Sequence, residues 1–135
     1  LKPSKLFINI GTNDLSNPDI TIAQMVDHYD QILCQVKAAL PDVKLYLMAY
    51  YPVNYDAATE EMKPCLLVRT NPKIAEANAA VKKLAEKYHA KYMDINDPLK
   101  DENGNLKAEY TIEGMHIKEE GYRAIFPEFI RYAME

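Results

Sequence analysis

The chain has 135 residues, enough for one domain with a buried core, and its 48% apolar and 27% charged residues exclude an intrinsically disordered polymer. A net charge of −4 without any Lys/Arg cluster excludes an electrostatic nucleic-acid surface, because phosphate binding needs concentrated positive charge. No apolar run reaches the roughly 20 residues that span a bilayer, no Gly/Ser-rich or Pro-rich stretch divides the chain, and a single domain over residues 1–135 is expected.

In chain order, residues 5–10 form a short apolar run halted by Gly11, with apolar side chains on both faces, as in a parallel strand covered by helices on each side. After a loop over 12–20, Ile22, Met25, Val26, Tyr29, Ile32, Leu33, Val36 and Leu40 recur at helical spacing, and Thr21 with Gln24 makes a capping box. Pro41 and Asp42 end that helix, and residues 43–50 read as a second strand. Residues 51–70 lack a clean period and are expected to form a long surface loop with room for a short helical turn.

Asn71 before Pro72 is expected to cap the next helix, whose stripe is Ile74, Ala77, Asn78, Val81, Leu84, Ala85 and Tyr88. Residues 91–95 read as a third strand and 101–105 as a turn built on Gly104. Tyr122, Ile125, Phe126, Phe129, Ile130 and Ala133 make the face of a last helix that contains Pro127. Neither Cys34, on an expected buried helix face, nor Cys65, in a loop, sits in a metal-binding or redox pattern, so two free thiols are expected. The alternation predicts an α/β sandwich with a parallel sheet, in which ligands bind beyond the carboxyl ends of the strands. Sites are therefore expected after each strand, at 11–14, 51–54 and 96–99.

Two segments carry chemistry. In Ile8-Asn9-Ile10-Gly11-Thr12-Asn13-Asp14 a glycine permits a tight turn and polar side chains project from a strand end. Asn13 and Asp14 are good turn residues, which is one reading; the other is that the Asn13 carboxamide donates to a developing oxyanion without adding a titrating group. In Glu113-Gly114-Met115-His116 a carboxylate three residues before a histidine can turn back to the imidazole and leave its other nitrogen as a general base. The alternative is a histidine that only caps or packs near the last helix. His28, off the helical stripe, and His89, at a helix C-terminus that favours positive charge, read as structural. A nucleotide-binding α/β domain would use the same alternation, but there is no G-x-G-x-x-G run and the chain has 4 glycines.

In this order and spacing the segments resemble the GDSL-like lipase/acylhydrolase, or SGNH hydrolase, family over nearly the whole chain. Gly11-Thr12-Asn13-Asp14 resembles its Gly-x-Asn-Asp block, and Glu113-Gly114-Met115-His116 with Gly121-Tyr122 resembles its last block, normally Asp-x-x-His. Further similarity lies in Arg69-Thr70-Asn71 to Asn78, Tyr92-Met93-Asp94 and the 101–106 turn. The resemblance implies a three-layer, flavodoxin-like fold and hydrolysis of small esters through an acyl-enzyme. It makes His116 the general base and Asn13 an oxyanion donor, and requires no cofactor or metal. Position 113 is Glu where the family has Asp, so either Glu113 accommodates its extra methylene and orients the ring, or a backbone carbonyl does so while Glu113 faces solvent.

Substrate contacts are expected from Gly11, Asp14, Tyr51 and Asn54. The 51–70 loop, with Tyr55, Met62, Leu66 and Leu67, is either a pocket wall or a tyrosine-rich surface loop. Acetylated sugars are the first substrate expected and short-chain lipid esters the second. The family's nucleophile sits in an N-terminal Gly-Asp-Ser block, which has no counterpart here. The only serines are Ser4, before the first strand, and Ser16, in a turn. The resemblance thus implies a chain that is silent by itself, with its serine upstream and a first strand missing from the sheet. It also implies an apolar edge covered by that N-terminal segment or by a dimer partner. A nicked or truncated enzyme, the ordered part of a longer protein, and a shortened non-catalytic binding or assembly module each fit this pattern.

Overall fold

A computed structural model describes residues 1–135. Three strands, β1 (Lys5–Ile8), β2 (Lys44–Met48) and β3 (Lys91–Met93), pair in parallel in the order β1-β2-β3, with Ile8 opposite Leu47 and Met48 opposite Met93. The helices are α1 (Ile22–Ala39), α2 (Lys63–Val68), α3 (Asn71–Lys87) and α4 (Glu119–Ala133). Because successive strand residues point to opposite faces, β2 feeds two cores. Leu45 and Leu47 pack with Met25, Tyr29 and Leu33 of α1 and Ala77 and Val81 of α3, while Tyr46 and Met48 pack with Met93, Ile95 and Ile125 of α4. The result is the expected three-layer α/β sandwich with a parallel sheet. On the α4 side, Phe7 stacks on Tyr46 at 4.5 Å between ring centroids and meets Phe129 at 4.8 Å.

The expected capping box is present: Thr21 Oγ1 accepts from the Gln24 amide and Gln24 Oε1 accepts from the Thr21 amide. Two helical faces are narrower than their sequence stripes. On α1, Cys34 is exposed rather than buried and Ile32 is 44% exposed. On α4, Tyr122 and Phe126 are 50% and 59% exposed. In both cases the opposing layer reaches only part of the stripe. Both thiols are free. No helix is long and apolar enough to cross a membrane.

Two expectations for the middle of the chain are corrected. Residues 51–70 contain the short helical turn expected there, α2, but are not a surface loop throughout: Val53, Asn54, Leu66 and Arg69 are buried. The cap of α3 is Thr70, whose hydroxyl accepts from the Lys73 amide, not Asn71. Beyond Met48 the backbone runs on without a full strand partner, and buried amide and carbonyl groups must find one. Asparagines of α3 supply it. Asn78 accepts from Tyr50 N and donates to Tyr50 O, and Asn71 does the same for Val53 at 2.9 and 2.8 Å. Seven residues apart, they lie on one helix face and act as a substitute strand.

Asn71→Ala would leave the Val53 amide without a partner and Val53 O with the Leu106 amide alone, and would also remove the 2.7 Å bond to Asn105 Oδ1. We expect a loss of about 2–4 kcal/mol, read as a lower midpoint in urea denaturation of the full-length protein; an unchanged midpoint would remove Asn71 from this role.

Candidate active site

The chain leaves β1 through Gly11, whose φ of 87° is left-handed and disfavours a side chain. A Cβ there would also lie 3.1 Å from the Tyr50 hydroxyl, which donates to Ile10 O at 2.7 Å. A short 3-10 turn, Thr12–Ser16, follows; it is pinned by the buried Leu15 and by Lys73 Nζ, which donates to Leu15 O at 3.0 Å. Asn13 is exposed on this turn. The Asp14 carboxylate points instead toward α1, 4.0 Å from His28 Nδ1.

The histidine loop is closed by the bridge between Thr111 and Ile117, and Thr111 Oγ1 accepts from the Gly114 amide at 2.9 Å. Glu113 folds back over it. Its Oε1 accepts from the amides of Met115 and His116, and its Oε2 stands 2.9 Å from His116 Nδ1. The extra methylene is accommodated by this curl, and the carboxylate faces the ring. Burial pushes the Glu113 carboxyl up, but the two amides and the imidazole outweigh it and hold the group below the usual glutamate range. With a carboxylate as its partner, Nδ1 carries the proton and Nε2 is left as the acceptor.

The two segments meet across a cleft of about 310 Å³ at the carboxyl ends of the strands. Asn9, Thr12 and Asn13 line it from the first segment, and Met115, His116, Ile117 and Tyr122 from the second. Tyr51 and Val53, on the segment that the asparagines of α3 hold at Tyr50 and Val53, form its floor together with Arg69. Burial pushes the Tyr51 phenol up, as does the neighbouring Tyr122, against a hydrogen bond with Asn9.

Of the seven residues singled out in the sequence, Asn13, Tyr51 and His116 line the cleft, Gly11 lies beneath its turn and Glu113 stands behind His116. Asp14 and Asn54 do not line it. Asn54 is buried, its Nδ2 donating to Leu106 O and its Oδ1 accepting from the Ala57 amide, while its backbone N–H donates to Gly114 O at 2.8 Å. In the 96–99 segment, Asn96 donates to Tyr50 O from below.

Neither serine lines the cleft. Ser4 borders a separate depression beside Pro41, and Ser16 Oγ accepts from Arg69 Nε at 2.7 Å and Cys65 Sγ at 3.1 Å. Arg69, Asn9 and Met115 also line the cleft, although no site role was expected of them. Arg69 did carry a signal: it follows Leu66-Leu67-Val68 with no acidic residue between Glu61 and Glu76.

The profile of the GDSL-like Lipase/Acylhydrolase family matches residues 1–124. Among solved structures, a provisionally assigned platelet activating factor from Streptococcus pneumonia is 32% identical, with a TM-score of 0.85 over 96% of this chain and 59% of its own. A GDSL-like lipase from Bacteroides thetaiotaomicron VPI-5482 is 23% identical, with a TM-score of 0.73 over 98% of this chain and 62% of its own. An acetylxylan esterase from Geobacillus stearothermophilus is 16% identical, with a TM-score of 0.69 over 96% and 59%. The last two share the fold. The chain spans about three fifths of the length of these proteins. No curated protein matches it.

Proposed function

The chain belongs to the GDSL-like lipase/acylhydrolase family, and from that premise we propose that it carries the general base and one oxyanion donor of a serine ester hydrolase. The observation that supports this most is the Glu113–His116 pair, at 2.9 Å, sharing one cleft with Asn13. The serine comes from outside these 135 residues, on a segment that pairs with the free edge of β1; the chain by itself is silent. Serine Oγ attacks the ester carbonyl as its proton passes to His116 Nε2, and the tetrahedral oxyanion accepts from the Asn13 carboxamide. Collapse expels the alcohol, which takes the proton back from Nε2. Water then repeats the sequence on the acyl-enzyme, releasing the acid and restoring the serine.

Residues 1–135 act as one domain in this reading. Glu113 keeps the imidazole in the required tautomer. Tyr51 contacts the substrate, Gly11 lets the turn form, Asn54 acts through the backbone it holds at Leu106 and Ala57, and Asp14 faces His28 of α1. No metal or organic cofactor is required. Acetylated sugars are the first substrate class and short-chain lipid esters the second, which suits a small cleft with two tyrosine faces and a polar rim.

The test is hydrolysis of 4-nitrophenyl acetate, acetylated xylan fragments and lysophospholipid by the full-length protein and by the 135-residue chain. Turnover is expected from the full-length protein alone. No turnover on any of the three esters would end the hydrolase reading. In the full-length enzyme Glu113→Gln should lower kcat about 10- to 1,000-fold; an unchanged rate would take Glu113 out of the mechanism. Because the folded carboxyl lies below its ordinary value, its contribution to stability is present above about pH 4.3. It is lost as the pH falls through the depressed folded value, so wild type and E113Q should converge there.

A second reading, a non-catalytic binding or assembly module, draws on the free edge of β1 and the exposed Phe126 and Tyr122. It predicts association, by sedimentation, without hydrolysis.

A further inference from the structure

Arg69 is 7% exposed and lines the cleft shared by Asn13 and His116, yet it forms no ion pair within the chain. Of its five N–H donors, the one on Nε reaches Ser16 Oγ at 2.7 Å; the four on the terminal nitrogens make no hydrogen bond to protein atoms. The carboxylate that acts on it through space is Glu113, whose oxygens are already engaged by the Met115 and His116 amides and by the imidazole. Burial disfavours the charged guanidinium, although it stays protonated at any working pH. A largely buried guanidinium whose terminal nitrogens open only onto the cleft and meet no carboxylate in an ion pair is costly to keep, and holding Ser16 in place would not require one. The exposed fork is shaped for a carboxylate or phosphate.

We infer that Arg69 is a specificity-determining residue that binds an anionic group, a carboxylate or a phosphate, on the ester this cleft takes. This rests on the hydrolase reading above. The cleft is small enough that an anion held at Arg69 lies within a few bonds of a carbonyl placed between Asn13 and His116. Among acetylated sugars and short-chain lipid esters, it selects those bearing an acid group.

With full-length protein, kcat/KM is measured on phenyl acetate, 4-acetoxybenzoate, 4-acetoxyphenyl phosphate and monophenyl succinate. The first is neutral, the next two place a carboxylate or a phosphate on the leaving group, and the last puts a carboxylate on the acyl side. At least one anionic ester should be preferred, and Arg69→Gln should lower its kcat/KM about 10- to 100-fold more than that of phenyl acetate. The change should fall mainly in KM, with Arg69→Lys restoring part of it. An equal loss on all four esters, the result if Arg69 only braces Ser16 or meets a carboxylate from outside these residues, overturns the inference. So does the absence of any anionic preference in the wild type.

A readout without turnover separates the two readings. Inorganic phosphate or succinate should raise Tm of the wild type and not of R69Q. That shift without hydrolysis would keep the anion site and remove the hydrolase; hydrolysis without the shift would do the reverse.

Discussion

Full-length protein carrying His116→Ala is expected to lose about 10³- to 10⁵-fold in kcat on 4-nitrophenyl acetate, with little change in KM. The imidazole is the one group in the cleft placed to take a proton and return it, and its Nδ1 side is already committed to Glu113. A loss of this size corresponds to about 4–7 kcal/mol of transition-state stabilisation. The fold should be indifferent to the change, because the His116 side chain is 76% exposed and its loss leaves no cavity. Near-normal turnover with an intact Tm would move the general base elsewhere.

The second large effect is expected at Gly114, and it concerns folding. Its φ of 97° already strains any side chain, and a Cβ there would stand 2.5 Å from Asn54 O and 2.8 Å from Ala58 Cβ. Those are backbone and short side-chain atoms that cannot swing aside. The loop would have to lift off, giving up the 2.8 Å bond from Asn54 N to Gly114 O. Gly114→Ala should therefore cost about 3 kcal/mol or more and lower activity as well, since the same loop carries His116. Gly104→Ala is the comparison: its φ is 82°, but nothing lies within 4 Å of the added Cβ. It should cost about 1 kcal/mol, from backbone strain alone. Urea denaturation of both full-length variants checks this, and equal costs would mean that the close approach to Asn54 is not what demands a glycine.

Much of the fold was legible in the amino-acid order because it depends on near neighbours. The three strands, the long helices, the Thr21–Gln24 capping box and the placement of Gly11 and His116 after strands or before a helix follow from periodicity and turn chemistry within a few residues. The Glu113–His116 pairing belongs to the same class, being three residues apart on one loop.

What only the tertiary structure decided are contacts between segments distant in sequence. Arg69 meets Ser16 across 53 residues, and Asn71 meets Val53 across 18. No local period marks either one, so Asn71 reads as a helix cap until an unpaired strand extension appears beside it. Burial depends on distant neighbours too, which is why Cys34, beside the apolar Leu33 and expected on a buried helix face, faces solvent. Asn54 and Asp14 are placed by residues elsewhere in the chain. A sequence states what each residue is able to do; which partner it finds depends on how the layers close, because a side chain's energy is set by what surrounds it after folding.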